Sequence, residues 1–509
     1  MITVTLKDSM MVPGLPFGKD GKSVNLDPRD IPLVMSAVAK VHKEISERRI
    51  RSFSIRHGVQ NEINESILEC IPSGVRSCYK AKIPTKLEFT TSHYVGQATV
   101  DVANDNGKQE RVCFVIQPRM GQVYRDYLIG MASNVYLPDR LSAAGDAGSA
   151  ASNQWLLLLM WRCAFEYAMK KASVPKAYVS RNANMRSFRG RLDVSRHIRH
   201  NLVDQSRMYC AFRPMTMDTT INQTIRYVYR LVMNANIGDV RRTFGGLAEH
   251  DTRLASFGVA NRAVTLEEID RIVYTRMTEP YRRLMALSKI VIRGLGACDC
   301  AFSREAPAFF VDLAEIWENY LMRVFRNRMP EYRFESLNES QNKLWLLDGG
   351  RSVRPDFFVR SGSDGRLLAI LDAKYKRYLH VGRTANDPHA VSRDDLYQMA
   401  TYLYRFADPG YNAMGLFISP YSKDENDRQN VLGRKHDIGV CNLTMPLFEE
   451  GEDKDLSQNG KREYMEQMRH AEIDFAERLR QLLKGIESST EDSEAEFSNG
   501  DQFLKAEAR

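Results

Sequence analysis

Two short apolar segments, residues 354–360 and 366–374, flank the run Ser361-Gly362-Ser363-Asp364-Gly365. Apolar segments on either side of a Gly/Ser/Asp cluster read as a β-hairpin belonging to a buried sheet. Residues two apart in a strand share a face, so Asp372 and Lys374 project together while Ala373 turns away. Asp356, on the partner strand, reaches the same spot if the two strands pair in register. Two carboxylates and one lysine at the edge of a buried sheet form a compact site for Mg²⁺ and an activated water.

The 509-residue length points to two or three domains. Hydrophobic content of 43% and charged content of 27% are those of a globular protein. A net charge of +8 is mildly basic and decides little until the charge is located. Of the eight cysteines only Cys298 and Cys300 are close, and a lone C-x-C pair is a poor zinc site. The N-terminal residues alternate like a strand and lack the basic region and apolar core of a signal peptide. The most apolar run, Trp155–Trp161, is far below the ~20 residues that span a bilayer. These features predict a cytoplasmic protein without a membrane association.

Taken in order, residues 1–137 read as a β-rich N-terminal domain, with one helix from Pro32 to Arg49. Strands over 95–103 and 110–117 flank a turn at Asn104–Lys108, and a helix follows from Val123 to Met131. His57 and His93 stand alone here and do not suggest a ligand set. Residues 138–153 are rich in Pro, Gly, Ala and Ser and mark a linker. An α-rich middle domain over 154–307 opens with an apolar helix, Trp155–Lys171, and helical periodicity returns at Asn222–Ala235 and Leu266–Arg293. Within it, Arg181, Arg186, Arg189, Arg191, Arg196, Arg199, Arg207 and Arg213 face only Asp193 and Asp204. The planar guanidinium suits phosphate, so Arg186, Arg189, Arg191, Arg196 and Arg199 are candidates to bind DNA or an acidic partner protein. A solvated basic face is the bland alternative.

The third block, 308–457, starts with an amphipathic helix over Asp312–Asn327 carrying Glu315 and Glu318. Short strands at 331–336 and 343–347, Gly349-Gly350 and the hairpin follow. A second helix opens at Ser392, a good N-cap, runs to Phe406 and stops before Pro409-Gly410. A last strand covers Ala413–Ser419. This order describes an α/β unit with a mixed sheet. A C-terminal helix is expected over 458–486, and the acidic, Ser/Thr-rich segment 487–509 reads as a disordered tail.

Phosphodiester hydrolysis needs a positioned water, neutralised phosphate oxygens and help for the leaving alkoxide. Asp356 and Asp372, with the Ala373 carbonyl, are the candidate ligands for Mg²⁺, with Mn²⁺ as the alternative. Lys374 would orient the water or offset charge in the transition state. Glu318 would complete the carboxylate set, with Glu315 as its competitor. Gln398 and Tyr402 lie one helical turn apart and could order the site or touch DNA. An isolated Asp-x-Lys is usually a surface ion pair, so the combination carries the argument. Asp-Ala-Lys follows Pro355-Asp356 by 16 residues, with a glutamate-bearing helix before and a Gln-x-x-x-Tyr helix after.

Pro355-Asp356 with Asp372-Ala373-Lys374 resembles the PD-(D/E)xK nuclease motif, and Gln398–Tyr402 resembles the Q-x-x-x-Y motif of one branch. Phe188-Arg-Gly-Arg-Leu-Asp193, Asp218-Thr-Thr-Ile-Asn222, Ile316-Trp-Glu-Asn-Tyr320, Leu371-Asp-Ala-Lys-Tyr-Lys376 and Asp395-Leu-Tyr-Gln-Met399 are similar to segments of McrC. McrC is the nuclease subunit of the McrBC 5-methylcytosine restriction system. The resemblance spans about residues 110–420. It implies a C-terminal restriction-endonuclease-like domain that cuts DNA when bound to an McrB-like AAA+ GTPase hexamer, whose GTP hydrolysis it stimulates. No G-x-x-x-x-G-K-[ST] loop occurs in this chain, so nucleotide hydrolysis would come from the partner. Trp317-Glu318 stands where McrC-like proteins carry Phe-Glu. A stand-alone repair or defence nuclease and a non-catalytic adaptor of a GTPase are the competing expectations.

Overall fold

The computed structural model describes residues 2–7, 23–24, 30–47, 50, 52–53, 60–61, 63, 66–78, 81–104, 107–133, 149–234, 244–295, 308–336, 344–345, 352–376, 390–408, 411–421, 428–429, 436–444 and 458–506. His57, Cys298, Cys300, Gly349-Gly350 and residues 138–148 of the expected linker lie outside them. The chain is a mixed α/β protein whose residues gather into two compact units, 154–307 and the combined segments 1–153 and 308–509. The expectation of an N-terminal domain separate from the 308–457 block therefore gives way to one shared unit. The reason is strand Phe309–Asp312, which pairs antiparallel with Tyr94–Ala103 and parallel with Ser52–Phe53.

In that larger unit, the first sheet joins Ile2–Lys7, Gln109–Gln117, Tyr94–Ala103, Phe309–Asp312, Ser52–Phe53 and Gln60–Asn61. Helix α1 (Ile31–Ser46) buries Ile31, Leu33, Val34, Ala37, Val38 and Val41 at three- and four-residue steps. They pack with Val4, Leu6, Phe89, Phe114 and Phe310 in one core, and each such side chain stabilises by roughly 1.5–3 kcal/mol when fully buried. Helix α2 (Gln122–Ala132) follows the Gln109–Gln117 strand. His93, expected to stand alone, is paired with Asp312 at 3.4 Å.

Helix α3 (Ser149–Lys171) begins before Trp155, so Ser149–Asn153 is helical rather than linker. The smaller unit is completed by α4 (Val194–Asn201), α5 (Thr220–Asn234), α6 (Ala248–Ser256), α7 (Leu266–Asp270) and α8 (Arg282–Leu295). The helix expected over Leu266–Arg293 is broken. Between α7 and the turn at Glu279–Tyr281, Thr278 Oγ1 accepts from the Thr275 backbone N–H at 2.8 Å. Such local side-chain bonds compete with helix propagation. A three-stranded sheet, Arg181–Met185, Met208–Phe212 and Arg191–Leu192, adds β structure to a block expected to be α-rich.

The second large sheet contains, in chain order, β1 (Arg333–Ser336), β2 (Phe357–Arg360), β3 (Leu367–Ala373), β4 (Met414–Ile418), β5 (Arg428–Gln429) and β6 (Asp437–Val440). Its spatial order is β1-β2-β3-β4-β6-β5, with β3-β4 and β4-β6 parallel and the remaining pairs antiparallel. Every residue of β3 is buried, as expected for a central strand covered on both faces. Helix α9 (Leu313–Arg328) precedes the sheet, and α10 (Arg393–Phe406) lies between β3 and β4 in the chain. Met399 and Leu403 of α10 share a core with Phe358, Ile370, Phe417 and Ile438. At Gly415 a Cβ atom would come within 2.6 Å of Met399, so the missing side chain is what lets α10 approach β4.

The last helix, α11 (Gln458–Ala506), runs through the segment expected to be a disordered tail. Its buried Phe475, Leu479, Leu483 and Ile486 anchor the part that precedes the acidic segment. Once a helix is nucleated, each added residue gains a backbone hydrogen bond, so the acidic segment continues it.

Candidate active site

The hairpin register decides whether the two aspartates meet. Phe357 pairs with Leu371 and Phe358 with Ile370, so the next step outward sets Asp356 opposite Asp372. The turn between the strands is closed by the Ser361 N–H donating to Arg366 O at 2.9 Å. Asp356 accepts the Ala373 backbone N–H on Oδ2 at 2.7 Å, which locks the carboxylate at the end of β3. Asp372 is buried, at 5% exposure, and its Oδ2 has no hydrogen bond of good geometry. The Lys374 ammonium lies 3.1 Å from that oxygen as an ion pair.

Helix α9 brings the third acid. Asp312 caps it by accepting from the Ala314 and Glu315 N–H groups at 2.8 and 3.1 Å. Trp317 Nε1 donates to Ile418 O at 3.2 Å, and Ile418 pairs with Ala373 across the parallel strands. This bond fixes the rotation of α9 at the site end of the sheet. Farther along, buried Glu472 of α11 accepts from Tyr320 at 3.0 Å and Tyr127 at 2.7 Å and pairs with Arg328 at 3.0 Å. Burial, then the negative charges of Glu318 and Asp372, push the Asp356 carboxyl well above the ordinary aspartate value. Glu318, rather than Glu315, is the helix acid whose charge acts there.

Helix α10 closes the other side. Ser392 caps it by accepting the Asp395 N–H. Lys374 Nζ donates to Gln398 Oε1 at 3.3 Å, and Gln398 Nε2 donates to the Tyr402 hydroxyl at 2.7 Å. Burial raises the Tyr402 hydroxyl pKa, as do the Asp372 and Asp356 charges, against the lowering effect of Gln398. Burial alone would depress Lys374, but Asp372 and Asp395 outweigh it and hold the ammonium above its ordinary value. Asp356, Asp372, Ala373, Lys374, Glu318, Gln398 and Tyr402 are therefore gathered in one place.

Sequence reasoning quoted Asp395 only as the start of an McrC-like segment and gave it no role in the site, yet its Oδ1 lies 3.2 Å from Lys374 Nζ. It stands three and seven residues before Gln398 and Tyr402, on the same helical face, so the periodicity that paired those two also contains it. It missed Arg119 as well, whose guanidinium stacks 4.6 Å from the Tyr375 ring beside Lys374.

The arginines belong to the smaller unit. All eight are exposed, on the Arg181–Met185, Arg191–Leu192 and Met208–Phe212 sheet, on α4 and on the connecting turns. Arg189 stacks over Phe212 at 5.0 Å and Arg196 over Tyr209 at 5.6 Å. Asp193 caps α4 by accepting the Arg196 N–H at 3.1 Å. Gly190 has φ +73°, and a Cβ there would sit 2.5 Å from Ala211 O, so the Arg189-Gly190-Arg191 turn requires glycine. Phe188, Val194, Ile198, Leu202 and Val203 are exposed on the same element group.

A family model described as McrBC 5-methylcytosine restriction system component matches residues 91–414. The chain is a McrC-like member of the McrBC family. The match covers the arginine-bearing unit, the hairpin and α10, and ends at the first residue of β4. Two solved structures are similar at 17% identity. A refined half-complex of Thermococcus gammatolerans McrB AAA+ hexamers with bound McrC covers 92% of this chain and 100% of that chain, with a TM-score of 0.45. The cryo-EM structure of the Thermococcus gammatolerans McrBC complex covers 65% of this chain and 89% of that chain, with a TM-score of 0.34. No curated protein matches the chain. Among the described residues no helix is long and apolar enough to cross a membrane.

Proposed function

We propose that this McrC-like chain is the Mg²⁺-dependent DNA endonuclease subunit of a modification-dependent restriction system, acting on an McrB-like AAA+ GTPase partner whose GTP hydrolysis it stimulates. The residues around β2, β3, α9 and α10 are read as a PD-(D/E)xK nuclease site. One observation carries this reading: Asp356 and Asp372 sit opposite each other at one end of the β2–β3 pair, with Lys374 ion-paired beside them.

The donor set fits a divalent cation in its chemistry. Asp372 holds a buried carboxylate oxygen without a hydrogen bond, and Asp356 is made hard to ionise by burial and by two neighbouring acids. A bound dication would relieve both costs. Among the described residues no three His, Cys, Asp or Glu side chains form a ready-made cage, so water or DNA oxygens would fill the remaining positions. Asp356, Asp372, the Ala373 carbonyl and Glu318 would hold Mg²⁺, or Mn²⁺ in its place. The ion would supply Lewis-acid stabilisation of the scissile phosphate and a more acidic water.

The chain's own groups do the rest. Lys374 presents its ammonium beside Asp372, where it can orient an attacking water and offset charge on the pentacoordinate phosphorus. Gln398 holds that ammonium in place, and Tyr402 holds Gln398. The exposed arginines of the smaller unit, with Arg186, Arg189, Arg191, Arg196 and Arg199 foremost, would contact DNA phosphates or the partner.

The deciding experiment reconstitutes the full chain with an McrB-like AAA+ GTPase and follows cutting of methylated plasmid. Asp372→Ala should lower the cleavage rate on the order of a hundred- to a thousandfold, as loss of a transition-state stabiliser does. GTPase stimulation should persist. Undiminished cutting by Asp372→Ala would refute the site. Absence of cutting by the wild type, with GTPase stimulation intact, would favour an adaptor.

A further inference from the structure

Lys374 is held by more than the residue beside it. Its ammonium is ion-paired with Asp372 Oδ2 at 3.1 Å and with Asp395 Oδ1 at 3.2 Å, and it donates to Gln398 Oε1 at 3.3 Å. Asp395 is itself fixed: its backbone is in the first turn of α10, its Oδ2 accepts from Ser392 Oγ at 2.6 Å, and Lys376 Nζ is 3.3 Å away. At 8% exposure it is too buried to be an incidental surface acid. Two of these three partners, Asp395 and Gln398, come from α10, and the third, Asp372, comes from β3.

We propose that Asp395 is a positioning residue that shares Lys374 with Asp372 and so leaves the buried Asp372 oxygen available to a divalent cation. The inference rests on the nuclease reading above. Without the second carboxylate, the ammonium keeps one charged partner, Asp372, and a neutral one, Gln398. It then settles on Asp372 and competes for the oxygen a cation needs. With Asp395 present, the Coulomb attraction is divided between two acids on different elements, at 3.1 and 3.2 Å, and the ammonium is shared between them. Lys376 plays the parallel part on the far Asp395 oxygen, which keeps that carboxylate turned toward β3. Outer partners of this kind govern affinity through the ligands they orient.

The test measures Mn²⁺ and Ca²⁺ binding to the full chain by calorimetry, without DNA or partner, and cleavage by the reconstituted complex alongside. Asp395→Asn keeps the shape and the Ser392 bond, and its circular dichroism and melting temperature check the fold. It should weaken cation binding roughly ten- to hundredfold. Asp395→Glu should recover part of the loss. In the Asp395→Asn background Lys374→Ala should restore binding, and its gain there should exceed its gain in the wild type, the signature of coupled sites. Wild-type affinity in Asp395→Asn, or equal gains from Lys374→Ala in the two backgrounds, would overturn the inference. Asp372→Ala serves as the reference. If it binds cations as the wild type does, or if the wild type binds none, the metal-site reading fails and this inference falls with it. If Asp372→Ala alone loses binding, only the role of Asp395 is refuted.

Discussion

The chain carries two concentrations of charge, and they are built in opposite ways. At the end of β3, Asp356, Asp372, Lys374 and Asp395 are mostly shielded from water, and each is held by named partners at 2.7–3.2 Å. In the smaller unit, the eight arginines of the cluster stand exposed, with Arg189 and Arg196 stacked on aromatic rings and Arg196 and Arg213 reaching Asp193 and Ser180 at the surface. Desolvation explains the difference. A buried charge without a partner costs several kcal/mol, so such a site must be geometrically complete. An exposed guanidinium is screened over about 8 Å at physiological salt and needs no fixed partner. One arrangement suits a fixed chemical step, and the other suits capture of a large anionic surface.

The largest effect that could break this contrast is charge reversal at Arg189 and Arg191. If both touch phosphates, the double Glu variant should reduce the salt dependence of DNA binding by about 0.9 per contact, roughly 1.8 in all. Cation binding measured by calorimetry should be unchanged. A normal salt slope with weakened GTPase stimulation would reassign the surface to the partner. Unaltered binding to both would leave a solvated face.

Next is Gly190→Ala, which forces a side chain into a left-handed turn and against Ala211. It should cost about 1–3 kcal/mol in urea unfolding. Binding by the arginine surface should fall with it, while the metal site is spared. Loss of cation binding in this variant would show that the two regions are not independent.

Asp356 offers a pH test of the acidic site. Its folded-state pKa is raised above the ordinary value of 3.8 by burial, Glu318 and Asp372. Below 3.8 the group is protonated in both folded and unfolded chains, so it carries no penalty. As pH rises toward the folded-state value the unfolded chain ionises first, and stability falls. The metal-free wild type should therefore melt lower than Asp356→Asn at neutral pH, with the gap closing near pH 4. Mg²⁺ should raise the wild-type melting temperature and leave the variant little changed. A gap that widens in acid would reverse the sign and refute the argument. The smallest effect on cleavage is expected from Gly415→Ala, whose new Cβ would press on the buried Met399 side chain of α10. A cost of about 1 kcal/mol should accompany a displaced α10 and a modest loss of cleavage.

Much of the site was legible because its parts are local. The Ser361–Gly365 cluster marks a turn in any context, and apolar runs on both sides make the hairpin. Ser392 followed by acids marks the start of α10, and the period of 3.6 puts Gln398 and Tyr402 on one face. Helical stripes at Leu313–Phe325 and Leu33–Val41 were equally plain. These features follow from backbone geometry and from which side chains must leave water, and both are properties of short segments.

Other features depended on packing between distant segments, where sequence spacing carries little information. The pairing of Phe357 with Leu371 turned an assumed register into an Asp356–Asp372 juxtaposition. The Trp317 bond to Ile418 tied α9 to the end of β4, and Glu318 is the helix acid whose charge raises the Asp356 pKa. Strand Phe309–Asp312 drew residues 1–153 and 308–509 into one unit, and His93 met Asp312 as a result. Asp395 acquired a partner only when α10 docked through Met399 against Gly415. By itself the sequence determined which elements form and which side chains share a face. The tertiary structure decided which charges meet, because a buried charge takes its partner from whatever the packed core brings within reach.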